Sequence, residues 1–286
     1  MKNKLILKIF ISVVFIFVIV LLFYVNNNTS KNINSNKPES SEKINKKISL
    51  KTDKIKPAKT NEIVKKDLFF RTYKSQLNYT GQYHLYEDMK LNKNTGIMIY
   101  FHGDNANDFN KGKNSKRLNL LVDVSKEHNL IPIALKTPTK DLTWWKNIES
   151  NSEYINDFFI NFILKKYDIN KNRVLLVGYS GGAELLSEYF IYKYGQYILN
   201  GGAILFAGGS KPPINDILFN DKFVSDFNIH FYSGTNDFMH SDVLYGVEYF
   251  MKKGFATTYE YPEGEDHYNL PFYKIVNEQL ENGFLK

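Results

Sequence analysis

The 286-residue chain contains no cysteine. Disulfides, thiolate nucleophiles, cysteine-ligated metals and lipid attachment at a lipoprotein cysteine are therefore excluded. Tryptophan is nearly absent, and the two present, Trp144 and Trp145, are adjacent. Clusters of arginine and recognised nucleic-acid-binding motifs are also missing, so the net charge of +7 does not read as a nucleic-acid-binding face. The charge has another location. Residues 1–66 carry 14 lysines against four acids, which leaves the rest of the chain slightly acidic.

The N-terminal quarter is built of two unlike pieces. Lys2, Lys4 and Lys8 precede or interrupt an apolar stretch, and Ile9 to Val25 is free of charge. Counted from Leu5, it is long enough to cross a bilayer as a helix. No small-x-small cleavage site follows, so residues 1–25 predict an uncleaved transmembrane anchor, with a removed signal sequence as the alternative. The leading lysines favour an inside start and an outside remainder, although lysines beyond the span act against that orientation. From 26 to 66 the composition turns to Asn, Lys, Ser, Glu and Thr. That segment has too little apolar surface to offset the entropy of ordering and reads as a flexible stalk. Its lysines suit membrane lipid or an anionic envelope polymer.

Residues 67–286 are enough for one domain with a sizeable core. Apolar runs at Gly81–Tyr86, Gly96–Phe101, Leu130–Leu135, Val174–Val177, Ala203–Phe206, Ile229–Tyr232 and Thr257–Tyr261 read as strands, with Arg71–Leu77 a further partner. Helical patterns lie at Ser115–His128, Tyr154–Tyr167, Gly182–Tyr194, Asp242–Lys252 and Pro271–Asn282. This alternation predicts an α/β fold, a mostly parallel sheet covered by helices on both faces. Ligands of such sheets bind at the carboxyl ends of the strands, where this chain collects polar residues.

The most informative motif is Gly178-Tyr179-Ser180-Gly181-Gly182, placed between a predicted strand and a predicted helix. In that context G-x-S-x-G reads as a nucleophile elbow with the Ser180 hydroxyl at its apex. A serine nucleophile needs a base and a group to orient the base. Of six histidines, His267 lies in a Gly/Glu/Asp-rich loop past the last predicted strand and is the favoured base, with His240 second. Asp237, in the turn after the Ile229–Tyr232 strand, is the favoured orienting acid. Asp242 reads instead as a helix-cap or first-turn residue, and Asp266 as a solvated loop acid. The order Ser180, Asp237, His267 differs from that of the other common serine triads.

These residues, with His102-Gly103, resemble the α/β-hydrolase superfamily, in particular its small esterases of the feruloyl-esterase, dienelactone-hydrolase-like and polyester-depolymerase-like groups. The resemblance spans roughly residues 80–282. It implies an oxyanion hole formed by the amides of Gly181 and Asp104, with Asn105 the alternative to Asp104, in a loop opened by His102 and Gly103. His102 would be structural. The acidic Asp104 side chain beside such a hole is unfavourable unless it points outward. The segment Thr137–Trp145 is expected near the catalytic rim, so Tyr179, Trp144 and Trp145 are candidates for a substrate pocket, with domain closure the competing role for the tryptophans.

The implied activity is serine carboxylic-ester hydrolysis outside the cytoplasm, on a small or envelope-linked ester, with no metal and no organic cofactor. A peptidase, a thioesterase or an acyltransferase could use the same triad. A tethered, non-catalytic binding protein could retain the same scaffold.

Overall fold

The computed structural model describes residues 66–196, 200–214 and 216–286. The apolar stretch within 1–25 lies outside the described residues, as does the lysine-rich stalk apart from Lys66. Among the described residues no helix is long and apolar enough to cross a membrane. They fall in one compact unit, Asn61–Lys286.

Eight strands form one sheet: β1 (Leu68–Lys74), β2 (Thr80–Leu85), β3 (Gly96–Phe101), β4 (Leu130–Leu135), β5 (Val174–Tyr179), β6 (Gly201–Phe206), β7 (Phe227–Tyr232) and β8 (Ala256–Glu260). Their order is β1-β2-β4-β3-β5-β6-β7-β8. The β1/β2 and β2/β4 pairs are antiparallel, and every later pair is parallel. β3 and β4 match their apolar runs residue for residue. β5 runs through Gly178 into Tyr179, because its register with β6 continues to Phe206.

Among the described residues the α-helices of five or more residues are α1 (Asn107–Lys111), α2 (Lys116–Glu127), α3 (Ile148–Phe158), α4 (Gly181–Leu185), α5 (Asp221–Asp226), α6 (His240–Lys252) and α7 (Phe272–Glu281). α2 starts where the Ser115 side chain accepts the Leu118 amide at 3.3 Å, which satisfies one free donor of the first turn. α3 begins earlier than its apolar pattern and passes into a π-helical stretch, Phe159–Ile163. α4 does the same over Leu186–Gly195. The short helices α1 and α5 have no sequence forecast.

Strand periodicity divides the core in two. Ile97, Ile99 and Phe101 of β3 face one side of the sheet, with Tyr154 and Phe158 of α3 and Val243, Val247 and Phe250 of α6. Met98 and Tyr100 face the other, with Leu118, Leu121 and Val124 of α2 and Phe272, Ile275 and Val276 of α7. A parallel sheet sealed on both faces leaves its strand ends as the place for a site.

Candidate active site

Ser180 sits between β5 and α4 with φ 51° and ψ −122°, backbone angles that an L-residue rarely adopts. Its amide donates to the Phe206 carbonyl at 2.9 Å, and its carbonyl accepts the amides of Ala183 and Glu184 at 2.8 and 3.1 Å. These bonds over-determine a strained turn and hold the hydroxyl at its apex. The turn also needs room. A Cβ on Gly182 would lie 2.3 Å from the Phe101 carbonyl oxygen, and one on Gly103 would lie 2.8 Å from the Tyr179 ring. Only glycine lets α4 and the loop after β3 approach so closely.

Three elements far apart in sequence bring Ser180, His267 and Asp237 together. His267 Nε2 is 2.9 Å from Ser180 Oγ, and His267 Nδ1 is 2.9 Å from Asp237 Oδ1. Asp237 Oδ1 also accepts the Met239 amide at 2.8 Å. Both His267 and Asp237 are buried, so little solvent competes for the bond that orients the ring. Asp237 itself is placed by a turn in which its amide donates to the Gly234 carbonyl at 3.1 Å. With a proton on Nδ1 facing Asp237, Nε2 is free to take the Ser180 proton.

The loop after β3 carries His102 and Gly103. His102 is fully buried, donates from Nδ1 to the Gly103 carbonyl at 2.6 Å and accepts the Thr137 amide on Nε2 at 3.2 Å. Burial lowers its pKa to about 4, so the ring is neutral and serves as a brace between two loops. Asn105 and Ala106 follow with φ of 68° and 52°. The loop is pinned by the Asn105 amide, which donates to the Leu142 carbonyl at 3.1 Å. Gly181 opens α4, so its amide has no carbonyl within the helix to bond.

A cleft of about 670 Å³ opens over Ser180 and His267, lined by Gly103, Asp104, Trp145, Tyr179, Phe238 and Tyr268 among others. Two expectations are corrected here. Trp144 is not part of the cleft: it is fully buried and packs its ring 5.7 Å from Phe101 and 4.9 Å from His102. Its neighbour Trp145 is 43% exposed and lines the opening, because adjacent residues of a turn point opposite ways. The Asp104 carboxylate does not turn outward. Its Oδ2 accepts the Trp145 Nε1 proton at 3.0 Å, which draws the group back over Gly181.

The remaining histidines are used structurally. His84 accepts the Phe70 amide on Nδ1 and bonds the Phe109 carbonyl through Nε2 at 2.9 Å. His128 bonds Asn277, and His230 bonds Thr258. His240 opens α6 against the Tyr261 ring rather than facing Ser180. Asp266 accepts the amides of Tyr268 and Asn269, which folds the loop that carries His267. Asp242 lies in the first turn of α6.

Several lining residues had no forecast, and three of them shape the cleft. Arg117 of α2 lays its guanidinium 3.9 Å over the Tyr179 ring and 4.4 Å over Phe272, and pairs with Asp108 at 2.5 Å. Its Nη2 reaches the Tyr268 carbonyl at 3.3 Å, while the Tyr179 hydroxyl donates to the His267 carbonyl at 3.1 Å. The loop that carries His267 is thereby tied to Tyr179, which precedes Ser180. Glu184, one helical turn after Ser180, is the second. Burial, and then the like charges of Asp104 and Asp242, raise its pKa to about 7 against a small opposing effect of His267. The third, Phe238, is 70% exposed beside the His267 ring, with centroids 4.2 Å apart. Glu184 was readable from its spacing to Ser180, whereas the contacts of Arg117 depend on tertiary folding alone.

No protein-family model matches the chain, and no curated protein matches it. Solved structures do. A Bacillus cereus carboxylesterase aligns over 72% of this chain and 94% of its own at 14% identity, with a TM-score of 0.53. A mutant feruloyl esterase module of Clostridium thermocellum, complexed with sinapinate, aligns over 77% and 87% at 12% identity and 0.54. An arylesterase aligns over 79% and 89% at 14% identity and 0.54. The fold is that of the α/β hydrolases. At such low identity the likeness concerns the arrangement of elements, and within that α/β-hydrolase arrangement Ser180 occupies the turn between β5 and α4.

Proposed function

We propose that the protein is a serine hydrolase of carboxylic esters, with Ser180 as nucleophile, His267 as general base and acid, and Asp237 as the group that orients it. The reading is carried by the continuous chain of hydrogen bonds from Ser180 Oγ through His267 to Asp237, at 2.9 Å in each step. The solved esterases that share the fold support the ester class.

In the first half-reaction Ser180 Oγ bonds to the ester carbonyl carbon while its proton passes to His267 Nε2. The carbonyl oxygen, now anionic, receives the amides of Gly181 and Asp104. The C–O bond to the alcohol then breaks, and His267 returns the proton to the leaving alkoxide. A water molecule repeats the sequence on the acyl-Ser180 ester, releasing the acid and restoring the hydroxyl. Asp237 stays ionised and stabilises the imidazolium throughout. Residues 1–25 are proposed to anchor the protein, with the catalytic domain outside the cytoplasm.

The reading is tested by turnover of short-chain aryl esters with purified full-length protein. The Ser180→Ala protein is expected to lose at least about four orders of magnitude in kcat. Turnover that survives this substitution would remove the nucleophile from the scheme.

A further inference from the structure

The carboxylate of Asp104 lies where an ordinary ester hydrolase has no use for it. Its Oδ2 is held by Trp145 Nε1 at 3.0 Å. Its Oδ1 is buried and lacks a hydrogen-bond partner. A Cβ added to Gly181 would meet that oxygen at 2.5 Å, so it lies against the residue whose amide faces the proposed oxyanion. A buried, unmatched acceptor is costly, and each one in a folded protein calls for an explanation. This one also acts against the chemistry, because a second negative charge beside a forming oxyanion raises the barrier that the hole lowers.

No residue around the cleft resolves the conflict. Arg117 is the only Lys or Arg among its described lining residues, and it is committed to Asp108, to the Tyr268 carbonyl and to the Tyr179 ring. Asp242 adds to the negative field, and Glu184 does so as it ionises near pH 7. A cation brought by the substrate would resolve it. An ammonium on the carbon next to the scissile carbonyl would reach the same side as the hole, approach the Asp104 carboxylate where that residue lines the cleft and offset its charge as the oxyanion forms. The exposed rings of Trp145 and Phe238 border the opening; Lys146 Nζ lies 5.3 Å over the Trp145 ring, and Phe238 offers a further face that favours a cation.

We infer that Asp104 is a specificity-determining residue that makes the cleft select aminoacyl esters, in which an ammonium neighbours the scissile carbonyl. This inference rests on the hydrolase reading above. Trp145 is the positioning residue that holds the carboxylate against Gly181.

The test uses the full-length protein and two near-isosteric esters, alanine ethyl ester and ethyl isobutyrate, which differ by an ammonium in place of a methyl group. Each kcat/KM is divided by the hydroxide-catalysed rate constant of the same ester, because the ammonium activates its carbonyl chemically. The wild-type ratio, charged over neutral, is expected to be at least about tenfold. Asp104→Asn should bring the ratio near unity by lowering the charged value and raising the neutral one, a pattern that loss of folding cannot produce. Trp145→Phe keeps the ring, removes the donor and should lower the ratio part-way. A wild-type ratio of one or less, or a ratio that neither substitution moves, overturns the inference. Hydrolysis of both esters without preference sinks this inference alone. Failure to hydrolyse either, together with no fluorophosphonate adduct on Ser180, sinks the hydrolase reading and this inference with it.

Discussion

Ser180 and Asp237 should fail in different ways when replaced, Ser180 by loss of the attacking oxygen and Asp237 by loss of ring orientation. Asp237→Asn keeps the geometry but lets the ring adopt the wrong tautomer, and a fall of about four orders of magnitude in kcat is expected with KM little changed, measured on a short aryl ester. The two tryptophans should separate cleanly. Trp144→Ala removes a fully buried ring beside Phe101 and His102 and should cost about 3–5 kcal/mol in chemical denaturation. Trp145→Ala removes a ring 43% exposed at the cleft and should change stability by less than about 1 kcal/mol while altering ester preference.

Two carboxyls give the stability a pH dependence. Burial is the first cause that raises Glu184 and Glu188 from 4.5 to about 7. Between those values the unfolded chain has released protons that the folded chain retains, so their contribution to stability falls as pH rises from about 4.5 to 7 and is constant above. His102 and His230, lowered to about 4 by burial, have the opposite slope: stability falls as pH drops from 6.5 towards 4. The windows overlap, so the difference between proteins is the informative quantity. Glu188→Gln should gain about 1 kcal/mol over wild type at pH 8 relative to pH 5, after allowance for solvent screening, as read by urea denaturation at both values.

At the scale of elements, the elbow rests on contact between α4 and the end of β3. Gly182→Ala would set a methyl 2.3 Å from the Phe101 carbonyl oxygen, a contact that flexible side chains cannot relieve. It should cost more than about 2 kcal/mol and reduce turnover further, because any relief must move α4 and therefore Ser180. Much of this architecture was legible in the chain. β3 and β4 are unbroken apolar runs between polar turns, which is how strands buried on both faces read. Tertiary pairing set what local pattern did not: β1 lies three residues ahead of its forecast, with a register shift between Leu68 and Arg71. α3 starts at Ile148, ahead of its forecast start at Tyr154, and its π-helical continuation breaks the period used to find it. Of the candidate site, Ser180, Asp237 and His267 were legible as residues that the fold brings within hydrogen-bond reach of one another. The site was not legible where a side-chain direction decides, as for Asp104 and Trp144, since sequence gives position along a loop but not the face a residue takes.

At the scale of the whole molecule, charge is divided along the chain: residues 1–66 are lysine-rich and the remainder is slightly acidic. The proposed anchor predicts that the full chain sediments with membranes and that protease added to intact cells removes the catalytic domain. Deletion of residues 1–25 should shift the protein to the soluble fraction. Resistance to external protease in intact cells, with cleavage after lysis, would place the domain on the inner side and overturn the orientation.

The central claim is that His267 and Asp237 activate Ser180, and it is tested most directly by the adduct formed when the full-length protein meets a fluorophosphonate probe, located by peptide mass spectrometry. The account predicts a single adduct on Ser180, absent from Ser180→Ala and strongly slowed in His267→Ala. An adduct on another residue, or none on a folded protein, would contradict it.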